Sequence, residues 1–198
     1  MLNREEALAL LDWAAALNPG PWKAHSLNVA RAAEAIAAAC GMDAERAWVL
    51  GALHDIGRYE GVRAMHHIVA GYNLLMEKGD PAAARICMTH SFPGGNPMSY
   101  LGKWDVTDEE RAWIIDFISH CEMDDCDRLI QLCDALGVEE GICLIEKRLV
   151  SVAIRHGVTP QTPEKWRATL EIRDEFSRRA GKSIYALFDD VGRVTFNL

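Results

Sequence analysis

Apolar residues recur at three- and four-residue spacings along almost the whole chain, and no run of alternating β-branched residues interrupts them. That periodicity, cut into segments by glycine and proline, restricts the fold to packed helices. Residues 3–17 read as an amphipathic helix stopped by "NPG", and Pro21 suits the first turn of a second helix running to Gly41. Asp43 can cap a third helix reaching Arg58. A fourth covers "AMHHIVAGYNLLMEKG", and a fifth opens at "DP" (80–81) and reaches His90. Residues 91–106, "SFPGGNPMSYLGKWDV", read as irregular, because their prolines and glycines block both helix and central strand. Long loops of this kind inside compact domains are often functional. Thr107 and Glu110 form a capping box that restarts helix. Further helices are expected over about 124–136, 139–156 and 162–180, with Pro163 in a first turn, followed by a short "SIYALFDD" segment and a tail. The expectation is a single all-α domain over residues 1–198: a helical bundle with its core at about 22–136 and a C-terminal helical extension at about 138–198.

Charge and cysteine usage narrow the possible roles. The formal net charge is −8, which argues against a broad basic surface for duplex nucleic acid but leaves room for a local positive pocket. The first residues, "MLNREEALALLDW", are acidic and amphipathic and do not resemble a secretion signal. No stretch approaches the roughly 20 apolar residues needed to span a bilayer. Six cysteines show no CxxC pair and read as reduced core thiols. Together these features predict a cytoplasmic protein that works away from membranes; its oligomeric state stays open.

Four of the seven histidines share an unusual placement. His25 begins a stripe with Val29, Ala32, Ile36 and Cys40; His54 lies on the face of Ala47 and Leu50. His67 lies over Gly71 and Leu74, and His90 over Ala83, Ile86 and Cys87. Asp55 falls on the face of Trp48, Gly51 and Ala52, and Asp134 one turn after Ile130. One such histidine is ordinarily a core residue with a single hydrogen bond. Two carboxylates on the same apolar faces are harder to accommodate, since an isolated buried carboxylate costs several kcal/mol or is driven neutral. A divalent cation held by these six residues resolves the difficulty, and its ligands would come from five helices. The mixed N/O set suits one or two ions of Fe, Mn, Co or Ni, with Mg where oxygens dominate, and lacks the thiolates of structural zinc sites. Two lesser features read differently. His120, on a face with Trp113 and Phe117, is expected in the core, and "CEMDDCD" at 121–127 is expected to be a solvated helix start capped by Asp124.

The order His25, His54–Asp55, Asp134 resembles the HD-domain metal-dependent phosphohydrolases. "HDIGR" looks like the signature of that family, and "LIQLCDALG" like its last helix, where an aspartate closes the metal site. His67 in "HHIVAG" and His90 in "MTHS" resemble the subset that carries two metals, closest in pattern to the bacterial diadenosine-tetraphosphatase-like proteins. Ser91 departs from that pattern, which has threonine there and a different following loop. The resemblance covers about residues 22–136.

It implies that His25, His54, Asp55 and Asp134 hold a first metal, and that Asp55 bridges to a second held by His67 and His90. It also implies that Arg58 serves catalysis with Asp55, holding a phosphate oxygen in a bidentate grip. Hydrolysis of a phosphate ester or anhydride by metal-activated water follows as the implied activity, with a nucleotide or dinucleoside polyphosphate as substrate. Asn96, Tyr100 and Lys103 on the irregular loop are further candidates for substrate contacts. The same six ligands also resemble those of HD-type di-iron oxygenases that cleave a C–C or C–P bond. A non-catalytic HD scaffold is the third reading.

Overall fold

The computed structural model describes residues 1–198 and is all-α apart from one minute ribbon. In chain order the helices are α1 (Arg4–Leu17), α2 (Trp22–Ala39), α3 (Ala44–Leu53), α4 (His66–Glu77), α5 (Pro81–Thr89), α6 (Asp108–His120), α7 (Asp125–Leu136), α8 (Ile145–His156), α9 (Thr162–Arg179) and α10 (Val191–Phe196). The local signals behave as their chemistry requires. Asn3 and Thr107 complete capping boxes with Glu6 and Glu110, and Asp43, Asp80 and Asp124 cap α3, α5 and α7 through their carboxylates.

Helix α2 is the central strut. Val29, Ala30, Ala32, Ala33, Ile36 and Ala37 are fully buried, and the small alanines let α3 lie close against it. Gly51 marks the point of nearest approach, where an added Cβ would stand only 2.7 Å from the Ala30 Cα. One continuous core of 34 buried residues runs from Ala7 on α1 to Phe176 on α9 and Phe188, so the C-terminal extension shares the apolar interior of the rest. A second core of seven residues, Met65, Ile68, Val69, Met88, Phe92, Ile114 and Ile118, ties α4, α5 and α6 beneath the 91–106 loop. Phe92 is completely buried and anchors that loop, a burial worth about 2–3 kcal/mol.

The structure departs from the sequence expectations at several places. The third helix does not reach Arg58. It ends at Leu53, and the chain passes through Asp55 (φ −106°, ψ 14°) into a 3-10 turn at Ile56–Glu60. Residues 137–142 form a two-stranded antiparallel ribbon, β1 (Gly137–Val138) and β2 (Gly141–Ile142), so the helix expected from 139 begins at Ile145. The glycines supply the reason: Gly141 adopts φ +141°, which side chains rarely follow. The irregular loop contains two short 3-10 turns, Pro93–Gly95 and Pro97–Ser99. His120 lies outside the core with its side chain 78% exposed, bonded back to the Asp116 carbonyl, because α6 buries only Ile114 and Ile118. Asp127 is not solvated. It is fully buried and receives Arg85 through Nε (3.0 and 3.2 Å) and Nη2 (2.5 Å), with the Thr89 hydroxyl at 2.7 Å. This pair, with Gln131 Nε2 donating to the Thr89 and Phe92 carbonyls, clamps α5 to α7.

Candidate metal centre

The break after Leu53 explains how two adjacent residues serve one site. Neighbours on a continuous helix point about 100° apart. His54 keeps helical angles while Asp55 leaves them, and both side chains turn into the same buried space. His25 reaches that space from the first turns of α2, His67 from the start of α4, His90 from the cap position ending α5, and Asp134 from the last turn of α7. Gly57 and Gly71 make room. A Cβ at Gly57 would run into the His67 carbonyl, and one at Gly71 would press on the Cys87 sulfur at 2.8 Å.

The six residues form two halves sharing Asp55. In one half His25 Nε2 lies 3.2 Å from His54 Nε2 and 3.0 Å from Asp134 Oδ1. His54 Nε2 is 3.8 Å from both Asp55 Oδ2 and Asp134 Oδ1. In the other half His67 Nε2 and His90 Nε2 are 3.4 Å apart and lie 3.1 and 3.6 Å from Asp55 Oδ1. The sets His25–His54–Asp55 and Asp55–His67–His90 are each buried and mutually close enough to hold one ion.

The second nitrogen of every ring is engaged with a backbone carbonyl. His25 Nδ1 donates to Gly137 O (3.0 Å), His54 Nδ1 to Gly51 O (2.7 Å), His67 Nδ1 to Ala64 O, and His90 Nδ1 to Cys87 O (2.9 Å). A carbonyl can only accept, so each Nδ1 carries the hydrogen. Burial pushes His54 and His67 below the ordinary imidazole range, and burial together with the His54 charge pushes His90 down to about 4. At neutral pH these three rings are therefore uncharged, and their Nε2 atoms present lone pairs rather than protons.

That arrangement lacks a positive partner. Lone pairs of His25 and His54 face each other and the Asp134 oxygen; those of His67 and His90 face each other and Asp55 Oδ1. Asp55 Oδ1 is buried with no hydrogen-bond donor at all. The Ser91 hydroxyl, 3.0 Å from His90 Nε2, meets only one of the four rings. Burial would push the Asp55 carboxyl up, but Arg58 above all, then His54 and His67, hold it well below the usual carboxylate range. Asp55 is thus a carboxylate with one oxygen on Arg58 Nε (2.5 Å) and the other unclaimed. Two nitrogens that each lie about 2.1 Å from one cation, at angles of about 90–109°, stand about 3.0–3.4 Å apart. The observed pairs match that span, so the donor set fits a divalent cation in each half.

The remaining candidates lie around this centre in different ways. Arg58 is partly buried, and its backbone carbonyl is held by Asn18 Nδ2 at 2.7 Å. Burial pushes the Tyr100 phenol above its ordinary range against the pull of Arg58, so the hydroxyl keeps its proton beside the centre. The Asn96 side chain is occupied within its loop, accepting from Met98 N (2.9 Å) and donating to Glu164 (3.4 Å). Lys103 is exposed, and its carbonyl accepts from Met65 N at 3.2 Å. Sequence reasoning passed over Arg148 on α8, whose Nη2 lies 3.8 Å from Asp134 Oδ1. It also passed over Lys165 on α9, whose Nζ donates to the Ser91 carbonyl at 2.8 Å. Nothing in the periodicity distinguishes these two from other helix-surface cations; only the fold brings them here.

Fold and site together define an all-helical domain whose imidazoles and carboxylates meet at the ends of its helices in a set compatible with divalent metal ions. The HD domain family matches residues 23–138, more than half of the chain, and the chain belongs to that family. Its members are mostly metal-dependent hydrolases that bind divalent cations. No curated protein matches the chain. No helix is long and apolar enough to cross a membrane.

Proposed function

We propose that this chain is a metal-dependent phosphohydrolase that cleaves a phosphate ester or anhydride of a small nucleotide-like substrate, in the manner of the two-metal, diadenosine-tetraphosphatase-like HD proteins. The observation that carries the reading is the gathering of four imidazoles, each fixed by a backbone carbonyl, around Asp55, with His67 and His90 facing its orphaned Oδ1. His25, His54 and Asp134 would hold one ion, His67 and His90 the other, with Asp55 shared between them. Bound divalent ions supply positive charge to phosphoryl oxygens and acidify water at neutral pH.

The chain's own contribution is binding and orientation. Arg58 uses Nε on Asp55 and reaches the Arg63 carbonyl with Nη1 at 3.5 Å, which leaves Nη2 to take a phosphoryl oxygen as charge accumulates there. The backbone carbonyls behind each histidine hold the rings in one orientation, so no reorganisation is needed when substrate enters. The protonated Tyr100 hydroxyl would donate to an oxygen of the bound substrate, and Lys103 remains a candidate at the exposed rim of the loop. The whole chain works as one domain, since the extension closes over the same core.

The test is turnover of a panel of nucleotides and dinucleoside polyphosphates with Mn, Co, Mg and Fe(II). Phosphate or nucleotide release with at least one metal is expected. No release with any metal, together with oxygen uptake and a coupled Fe(II)/Fe(III) EPR signal in anaerobically purified protein, would replace the hydrolase by a di-iron oxygenase.

A further inference from the structure

The chain turns from His90, at the end of α5, into the irregular loop, and Ser91 stands at that corner. Its hydroxyl lies 3.0 Å from His90 Nε2. His90 Nδ1 gives its hydrogen to the Cys87 carbonyl at 2.9 Å, so Nε2 holds a lone pair and Ser91 Oγ is the donor. The Nε2 atoms of His25, His54 and His67 meet only other rings and carboxylates. The two halves of the centre therefore differ. In the His67–His90 half, an arriving ion must take a lone pair that a hydroxyl already holds.

The corner is held by contacts that the six inward-facing residues do not need. Phe92 N donates to the Thr89 carbonyl at 3.0 Å, and Gly95 N to the Phe92 carbonyl at 2.9 Å. Three further contacts come from α9. Lys165 Nζ donates to the Ser91 carbonyl at 2.8 Å, and Glu164 accepts from Asn96 at 3.4 Å. Ala168 meets Gly94 so closely that a Cβ added to the glycine would stand 3.1 Å from the Ala168 Cβ. Lys165 is the odd member of this clasp. Its side chain is half-buried, and the Ser91 carbonyl is its one hydrogen-bond partner, with the Tyr100 ring 6.0 Å away. Fully buried Phe92 already anchors the loop, and apolar anchors withdraw no cation from water. A charge-assisted bond supplies what apolar contact lacks, a direction. By directing the Ser91 carbonyl, Lys165 fixes where the hydroxyl of the same residue stands.

We infer that Ser91 is a substrate-contacting residue at the His67–His90 half of the centre, and that Lys165, supplied by the C-terminal extension, is the residue that positions it. Once an ion takes the His90 lone pair, the Ser91 hydrogen loses its acceptor, and the hydroxyl is left to donate to an oxygen of the substrate. The inference rests on the hydrolase reading for the identity of that oxygen, as one on phosphorus; the competition between hydroxyl and ion does not depend on it. Helix α9 lies beyond the residues matched by the family, so the extension reaches the centre through a single side chain.

Calorimetric titration of the whole chain with Mn(II), and then of the Mn-loaded protein with orthophosphate, reads two effects of opposite sign. Ser91→Ala removes the competing hydroxyl. The second Mn(II) equivalent should then bind about fivefold tighter, and orthophosphate about fivefold weaker. Ser91→Thr keeps the hydroxyl and should restore both. A packing fault would weaken both together. Lys165→Met should weaken orthophosphate binding as Ser91→Ala does, and should add nothing in a protein that already carries Ser91→Ala. In Ser91→Ala, a second Mn(II) equivalent bound no tighter than before, or an unchanged orthophosphate affinity, overturns the role of Ser91. A further loss from Lys165→Met in that background overturns the positioning role of Lys165. If the opposite effects appear in a protein that releases no phosphate from any substrate, Ser91 keeps its place and the hydrolase reading falls. If phosphate is released and Ser91→Ala binds both probes like the unaltered protein, the hydrolase reading stands and this inference falls.

Discussion

Residues 23–138 and the segment beyond them treat charge in opposite ways. In the first region polar groups are driven inside: His25, His54, Asp55, His67 and His90 are all buried among alanines, valines and leucines. They are tolerated because backbone carbonyls fix the rings and because a cation can complete the set. In the second region α8 leaves Arg155 exposed and Arg148 half-buried against Asp134, on a helix whose only fully buried residue is Ile145. The contrast separates two kinds of work. A metal centre needs ligands held within a few tenths of an ångström, which only a packed interior provides. An exposed cation such as Arg155 stays hydrated and needs no such scaffold.

The first region depends most on a single side chain at Asp55. Asp55→Ala removes the one carboxylate shared by both halves, and metal content after purification should fall with more than about a 100-fold loss of affinity, together with loss of phosphate release. Elemental analysis and a phosphate assay read both effects. Retention of two metals per chain would show that the halves do not depend on Asp55.

A smaller effect is expected from acid. His90 is held at about 4 in the folded protein against an ordinary value of 6.5, so the unfolded chain binds this proton first. Stability of the metal-free protein is therefore full above about pH 6.5 and declines as pH falls towards 4, by on the order of 3 kcal/mol at most. Thermal unfolding of chelator-treated protein across that range measures the decline, and a flat profile would mean that His90 is not buried neutral.

The smallest effect belongs to the second region. Ile154→Ser on the exposed face of α8 should shift unfolding stability by no more than about 0.5 kcal/mol and leave metal content alone. A large destabilisation would show that α8 is part of the packed body, and the division between the two regions would lose its basis.

Much of this was legible along the chain because it is local. Caps at Asn3, Asp43, Asp80, Thr107 and Asp124 are set by side chains one turn from the groups they satisfy. The helical period of the apolar residues gives the all-α class, and it also marks His25, His54, His67 and His90 as inward-facing. The order of these residues carries the family. Less legible were the features that depend on distant partners. Asp127 in "CEMDDCD" looks solvated until Arg85, 42 residues earlier, is seen to clamp it. His120 looks internal until α6 proves to bury only two residues.

Periodicity and residue type act over one or two turns, and they suffice to make this a helical bundle with histidines and aspartates on its apolar faces. The three-dimensional packing stops the third helix at Leu53, so that His54 and Asp55 can face one centre. Only it brought Gly137, Gly51, Ala64 and Cys87 carbonyls behind the four rings and so turned every Nε2 lone pair inward. It alone laid α8 with Arg148 against Asp134, across fourteen residues and a two-stranded turn. A lone pair's direction and a cation's neighbours are set by packing between segments, and no spacing along a single segment encodes them.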